Sequence, residues 1–192
     1  LSFVFRQIAG LFSIISIVYL LLERKKRGRT WSDIGFKSKT IATDIKNNWY
    51  WIIIVGVIMQ FIVVTIAKYS IPGFFEHVKG RIPLMNISQI IPLLIMIVIG
   101  TFAEEIVYRG FFQERISWFI KPVYAILLLS VVFGAVHYSA GSFGIVAYDI
   151  GTIFFDSIIY GIIYNRTKNI FASWTGHLLA DLVGLALLLF YV

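Results

Sequence analysis

The fold of this chain is decided by an apolar stretch near its middle, Ile87-Ser-Gln-Ile-Ile-Pro-Leu-Leu-Ile-Met-Ile-Val-Ile-Gly-Thr-Phe102, which contains no charged residue. A membrane-spanning helix needs about 20 mainly apolar residues. Comparable stretches lie on both sides of it: Ser2–Leu22, Asn48–Ala67, Val123–Tyr138, Ile145–Tyr164 and Ile170–Val192. The sequence therefore predicts an all-α, polytopic transmembrane bundle of about six spans.

The composition supports the same fold class. Of the 192 residues, 59% are hydrophobic and only 14% are charged, whereas a soluble domain carries about 25% charged residues. We therefore expect residues 1–192 to form a single membrane-embedded domain, integral to the cell membrane and multi-pass. The chain has no cysteine, which excludes disulfides, thiolate metal sites and cysteine nucleophiles.

The net charge of +7 is concentrated next to the predicted spans. Arg24, Lys25, Lys26, Arg27 and Arg29 directly follow the first apolar stretch. Basic clusters at this position mark the cytoplasmic side and attract anionic lipid headgroups. We expect membrane lipids as partners, and no nucleic acid.

The connectors between the spans give an orientation. The basic connectors Glu23–Asn47, Arg115–Lys121 and Arg166–Lys168 would share the cytoplasmic side, with the N-terminus outside. On the other side, the connector Lys68–Asn86 contains two glycines and two prolines, and this composition predicts a loop.

An ionisable side chain inside a membrane span costs free energy unless it is paired or has a function. In this chain such residues cluster in the C-terminal half. In the patch Ala103–Gly110, Glu105 and Arg109 are four residues apart, so they share a helix face and can pair. Glu104 is then left without a local partner, and a carboxylate in an apolar site suits a general base. The patch could equally be an ion-pair cluster at a helix end.

Two further patches carry histidines. Phe133 and His137 share one helix face, beside two small residues that permit close helix approach. His177 and Asp181 form another i, i+4 pair, in which the aspartate could orient the imidazole or a helix–helix hydrogen bond could hold the bundle together. Three such patches together favour a site inside the C-terminal half, in a catalytic core of about residues 87–192.

The three patterns, Glu-Glu-x-x-x-Arg, Phe-x-x-x-His and His-x-x-x-Asp, resemble in this order the CPBP family of CAAX-processing and bacteriocin-processing intramembrane proteases, also called the Abi family. The resemblance runs roughly from Ile87 to the C-terminus, and the segment Trp31–Phe36 is similar to one found upstream in that family. It implies a glutamic endopeptidase without a metal cofactor, which cleaves a peptide bond in or beside the bilayer. The substrate would be a lipidated or transmembrane peptide or protein, such as a CAAX-type C-terminus or a precursor peptide.

The resemblance also implies roles for individual residues. Glu104 would activate a water molecule, helped by His137, while His177 and Asp181 would stabilise the oxyanion. Glu105 and Arg109 would hold the helix, with Phe133 as a supporting residue. Family members with asparagine at the last position have a neutral donor there. An ionised Asp181 cannot donate, so it must be protonated or must act by orienting His177.

If Glu104 and His137 belong to one active site, they must lie at the same depth in the membrane. Placing the intervening turn near Ile120–Lys121 achieves this if the helix that carries Glu104 continues past Arg109. We therefore predict a long helix there, with Gly100 and Gly110 as candidate bends.

Several alternatives remain open. Two histidines and the glutamates could bind zinc in a zinc-dependent intramembrane protease, although no His-Glu-x-x-His motif is present. Tyr148-Asp149 matches half of an aspartyl intramembrane protease signature. A serine protease is another alternative, but Ser142 lacks the Gly-x-Ser-Gly motif of the rhomboid proteases. Asp149 and Asp156 would then bond neighbouring helices or line the cavity. A non-catalytic membrane immunity or binding protein of the same fold is the alternative outside enzymes.

Overall fold

The computed structural model describes residues 2–82 and 89–191, and this part of the chain is helical without strands. Ile87 and Val192, which bound two predicted spans, and Pro83–Asn86 of the predicted loop lie outside the described residues. The helices are α1 Ser2–Lys26, α2 Ser38–Ser70, α3 Phe74–Lys79, α4 Ile90–Ile116, α5 Pro122–Val136, α6 Phe143–Thr167 and α7 Ile170–Phe190. The predicted all-α fold is confirmed.

Four helices are long and apolar enough to cross a membrane, namely α2, α4, α6 and α7, with 33, 27, 25 and 21 residues. The apolar helix α5 has 15 residues, which at 1.5 Å per residue is about 22 Å, less than the roughly 30 Å of a hydrocarbon core. Helix α1 has 25 residues. The architecture is a helical membrane bundle.

The predicted elements on either side of the apolar part of α2 differ from the structure. Helix α2 begins at Ser38, ten residues before the predicted Asn48, and has a kink at Asn48 itself, where φ is −122°. The predicted loop Lys68–Asn86 is wrong in part, because α3 forms within it. At α2 polar residues extend the helix before its apolar part, whereas α3 is a separate short helix with polar residues, and hydropathy alone detects neither.

The prediction of a long α4 is confirmed. The helix continues past Arg109 to Ile116, and residues Ile106–Gln113 adopt π-helical geometry. Such segments are rare and often occur at functional sites. Gly110 lies inside this segment, whereas Gly100 lies in the regular part of the helix and marks no bend.

Helix α7 is the centre of the bundle, because it packs against α2, α4 and α6. Its start is determined by Asn169, whose side-chain Oδ1 accepts a hydrogen bond of 3.1 Å from the backbone N–H of Phe171. This is the usual role of an asparagine N-cap. Asn169 also donates to Asp44 of α2, at 2.8 Å. The register of α7 is thereby fixed two turns before His177.

The hydrophobic core has two parts. One joins α2, α6 and α7 through buried residues that include Ile52, Val55, Ile163 and Ala180. The other joins α1 to α4 and α7 through residues that include Leu20, Ile106 and Ile170. Helix α5 packs along α6 at the side of the bundle.

The basic connectors lie at one end of the bundle, as their predicted grouping requires. There Arg115 pairs with the buried Glu23, Lys168 lies 3.2 Å from Glu114, and Arg166 donates to Asn48 at 2.8 Å. At the opposite end, Lys68 lies over the ring of Tyr191. We call these the basic end and the opposite end.

Helix packing at Gly56 gives a test of the bundle. A Cβ atom at Gly56 would lie 2.9 Å from Cβ and 2.6 Å from Cδ2 of Leu179, so α2 and α7 would have to move apart. We expect Gly56→Ala to lower the free energy of unfolding by about 1–3 kcal/mol, as overpacking does. Thermal unfolding in detergent measures this. Gly100→Ala is the control, because a Cβ there meets nothing within 4 Å, and equal stability of the two variants would contradict the packing.

Candidate active site

Glu104 lies between two histidines of other helices. Its Oε1 is 3.9 Å from Nε2 of His137, and its Oε2 is 3.7 Å from Nε2 of His177. The Glu104 side chain is 35% exposed. Helices α4 and α7 and the end of α5 thus bring the three predicted residues to one depth in the bundle.

His137 is the first residue after α5, and its backbone holds the ring in place. The ring Nδ1 is 2.7 Å from the carbonyl oxygen of Phe133, one turn earlier. Because a carbonyl only accepts, Nδ1 must carry the proton in this contact. The other ring nitrogen, Nε2, faces Glu104.

His177 is held from both sides and is almost fully buried. Its Nδ1 is 3.0 Å from Oε1 of Glu105, and its ring stacks on Tyr160 with centroids 4.4 Å apart and an interplanar angle of 17°. Since the Glu105 carboxylate accepts, Nδ1 donates to it. The stacking and this hydrogen bond direct Nε2 toward Glu104.

Glu105 and Arg109 form the predicted ion pair. Oε2 of Glu105 is 3.5 Å from Nε of Arg109, and both side chains are almost completely buried. The guanidinium also donates to the backbone carbonyl and to the hydroxyl of Ser157, at 3.0 and 3.1 Å. Arg109 therefore ties α4 to α6, while Glu105 ties α4 to α7.

Phe133 fills the space between these groups. It is 2% exposed, and its ring centroid lies 4.8 Å from Tyr108, 4.6 Å from His137 and 5.7 Å from His177. The Arg109 guanidinium lies 5.2 Å from the same ring. Phe133 thus excludes water from the inner side of the site and supports both imidazoles.

Of the roles expected for Asp181, the structure does not support orientation of His177. The nitrogen that Asp181 would have held bonds Glu105 instead, and Asp181 itself is exposed. The i, i+4 spacing does place the two residues on one face of α7. However, α4 packs directly against α7, so the Glu105 carboxylate accepts the hydrogen bond from the imidazole.

The two unexplained aspartates of α6 contact neighbouring segments, which is one of the two predicted roles. Oδ1 of Asp149 is 2.8 Å from Arg81, and Oδ2 of Asp156 accepts from Gln60 of α2 at 3.0 Å. Asp149 therefore has a partner away from Glu104. The Tyr148-Asp149 resemblance to an aspartyl protease signature has no counterpart in this arrangement.

Tyr160 and Ser157 are site residues that the sequence reasoning missed. A signal was available, because Asp149, Asp156 and Tyr160 recur at spacings of seven and four along α6. That spacing places them on one helix face. Polar side chains repeated on one face of an apolar span mark the face turned toward the bundle interior.

Within residues 2–82 and 89–191, no three histidine or acidic side chains are arranged so that they could hold a metal ion. Glu105 is already engaged by Arg109 and His177.

A sequence model of the family described as type II CAAX prenyl endopeptidase Rce1-like matches residues 86–183, about half of the chain. The chain belongs to this Rce1-like family. The matched part contains all the predicted site residues, from Glu104 to Asp181. Searches of curated proteins and of solved structures found no significant match. This Rce1-like chain is therefore a membrane protein of a CAAX protease family, in agreement with the resemblance.

The two adjacent glutamates should respond differently to removal. Glu105→Ala leaves Arg109 as a buried charge without its carboxylate, which typically costs about 3–5 kcal/mol. Glu104→Ala removes a side chain that is one-third exposed and should leave thermal stability near that of the wild type. Thermal unfolding in detergent compares the two variants directly. Equal melting temperatures would contradict the structural role of Glu105.

Proposed function

We propose that this Rce1-like protein is a glutamic endopeptidase that hydrolyses a peptide bond in or beside the bilayer. The observation that carries the proposal is the position of the Glu104 carboxylate. It is partly accessible, and it faces the Nε2 atoms of both His137 and His177. The other carboxylate, Glu105, is buried and engaged by two partners.

Glu104 serves as the general base. Its distances of 3.7 and 3.9 Å to the imidazoles exceed a direct hydrogen bond, so the carboxylate is free to accept a hydrogen bond from a water molecule. The unprotonated Nε2 of His137 and the carboxylate together orient that water. Glu104 removes one of its protons as the oxygen attacks the scissile carbonyl.

The protons and bonds balance within the site. The attack forms a C–O bond and places a negative charge on the former carbonyl oxygen. The C–N bond then breaks, and the proton held by Glu104 passes to the leaving amine, directly or through His137. The products are a carboxylic acid and an amine, the second water proton staying on the acid until it ionises, and no redox partner is needed.

His177 stabilises the oxyanion. It donates from Nδ1 to Glu105 and from Nε2 to the developing charge, which requires both nitrogens to carry protons. Its position is fixed before the reaction, because Tyr160 and Glu105 hold the ring. A preorganised donor of this kind lowers the barrier by about 2.7–4 kcal/mol.

The substrate class follows from the setting of the site. Glu104, His137 and His177 are carried by apolar helices, and this setting favours an apolar or lipid-anchored substrate chain. A prenylated CAAX-type C-terminus or a transmembrane precursor peptide fits this description.

Removal of the base should abolish cleavage. We expect Glu104→Gln to lower kcat by about 100- to 10,000-fold, the contribution of a positioned general base, with little change in melting temperature. The purified proteins are reconstituted in liposomes and assayed with a farnesylated CAAX peptide, its unprenylated form and a transmembrane precursor peptide. Glu76→Gln, at a carboxylate that is 78% exposed, is the matched control.

Each assay is repeated with a zinc chelator. Cleavage that survives chelation and is lost only in Glu104→Gln supports the glutamic mechanism. Loss of wild-type cleavage with chelator would favour a zinc protease. If profiling of peptide termini in membranes also finds no wild-type product, the protein has a non-catalytic binding or immunity role.

Asp181 gives a second test. In the proposed site it acts as a neutral donor at the rim, one turn beyond His177. Asp181→Asn keeps a donor in the same place and should retain activity, whereas Asp181→Ala should lower kcat by about tenfold or more. Rates of farnesylated-peptide cleavage measure both. Equal loss in the two variants would show that the carboxylate itself is required.

A further inference from the structure

A polar cluster at the opposite end of the bundle joins the connector between α2 and α4 to the loop that follows His137. It consists of His77 and Arg81 from the connector, Asp149 of α6, and Ser139 of the loop. We call it the clasp. The proposed reaction uses none of these side chains, and His77 and Arg81 precede the family-matched residues 86–183.

Arg81 makes two contacts that link the loop to α6. One terminal guanidinium nitrogen donates to the backbone carbonyl of His137 at 3.2 Å, and the other lies 2.8 Å from Oδ1 of Asp149. The last carbonyls of a helix have no partner within the helix. Basic side chains can satisfy them. Arg81 therefore caps the end of α5 from another segment of the chain.

His77 holds the same loop two residues farther on. Its Nε2 lies 2.8 Å from the hydroxyl of Ser139 and 3.4 Å from Oδ2 of Asp149. The His77 ring also packs close to the backbone at Gly141, where a Cβ atom would lie 2.9 Å from Nδ1. The loop is thus contacted at three alternate positions, His137, Ser139 and Gly141.

Asp149 is the fixed point of the clasp. Its side chain is 3% exposed, and its two oxygens face Arg81 and His77 separately. A buried carboxylate that loses its partners is strongly unfavourable. Asp149 therefore keeps the connector, and with it the loop, attached to α6.

We propose that Arg81 is a positioning residue for His137, supplied by the N-terminal half of the chain. The inference rests on the proposed function, in which His137 and Glu104 orient water together. The His137 ring bonds the carbonyl of Phe133 and faces Glu104 at 3.9 Å, so its direction follows from the backbone that Arg81 holds. Displacement of a reacting group by 1 Å can lower a rate about 100-fold.

The test removes the contact to His137 without leaving a buried charge. The double variant Arg81→Met/Asp149→Asn replaces both ionic partners by neutral groups of similar size, and Arg81→Lys keeps one cation. Lys79→Met is the matched control, because the ion pair of Lys79 is with the exposed Glu76 of the same helix. All variants are compared in melting temperature and in cleavage of the farnesylated peptide.

We expect the double variant to fold with a melting temperature near that of the wild type. Its kcat should fall about tenfold or more, with KM changed by no more than about twofold, because the lost interaction acts on the reaction rather than on substrate binding. Arg81→Lys should recover part of the rate, and Lys79→Met should match the wild type. A folded double variant with wild-type kcat would overturn the proposal.

A second measurement does not depend on activity. The chain has no cysteine, so a single cysteine at the exposed Ala140 can carry a spin label that reports on the loop. Its mobility should rise in the double variant and remain unchanged in Lys79→Met. Unchanged mobility in the double variant would overturn the clasp whatever the cleavage rates. Increased mobility alongside a wild type that cleaves no peptide would support the clasp as an anchor and overturn the proposed function.

Discussion

The structure depends on the contacts of one buried carboxylate, that of Glu105. Charge inside an apolar bundle is tolerated only when it is paired, and Glu105 meets this condition through Arg109 on its own helix and His177 on α7. These contacts join α4 to α7, while Arg109 extends the network to α6 through Ser157. The need to pair this buried charge thereby fixes the relative positions of three helices and the direction of the His177 ring.

The pairing of Glu105 also explains how two adjacent glutamates can differ in role. Successive residues on a helix point about 100° apart, so Glu105 is turned into the bundle and Glu104 toward its accessible side. Glu105 is fully buried, whereas Glu104 is 35% exposed and contacts its histidines at longer distances. The inner carboxylate holds the helices together, and the outer one remains accessible.

Sequence reasoning succeeded where a helical spacing or a required common depth carried the signal. The Glu105–Arg109 pair follows from a spacing of four residues, and the long α4 followed from the need to bring Glu104 and His137 to one depth. It failed where a partner comes from a distant segment: Asp181 is the neighbour of His177 along the helix, but Glu105, 72 residues away, holds the ring. The bond from Arg81 to Asp149 spans 68 residues, and no local spacing can reveal it.

The same long-range contacts define what the N-terminal half contributes. The family-matched residues 86–183 carry the proposed reacting groups, yet several of their buried or partly buried polar side chains find partners earlier in the chain. Asp149 meets Arg81, Asp156 meets Gln60 and Arg115 meets Glu23. Without these partners, charges and hydrogen-bonding groups would be left unsatisfied at both ends of the bundle, and each such group is costly in an apolar environment. The reacting half therefore depends on the preceding helices for its electrostatic balance, although its sequence motifs alone place it in the family.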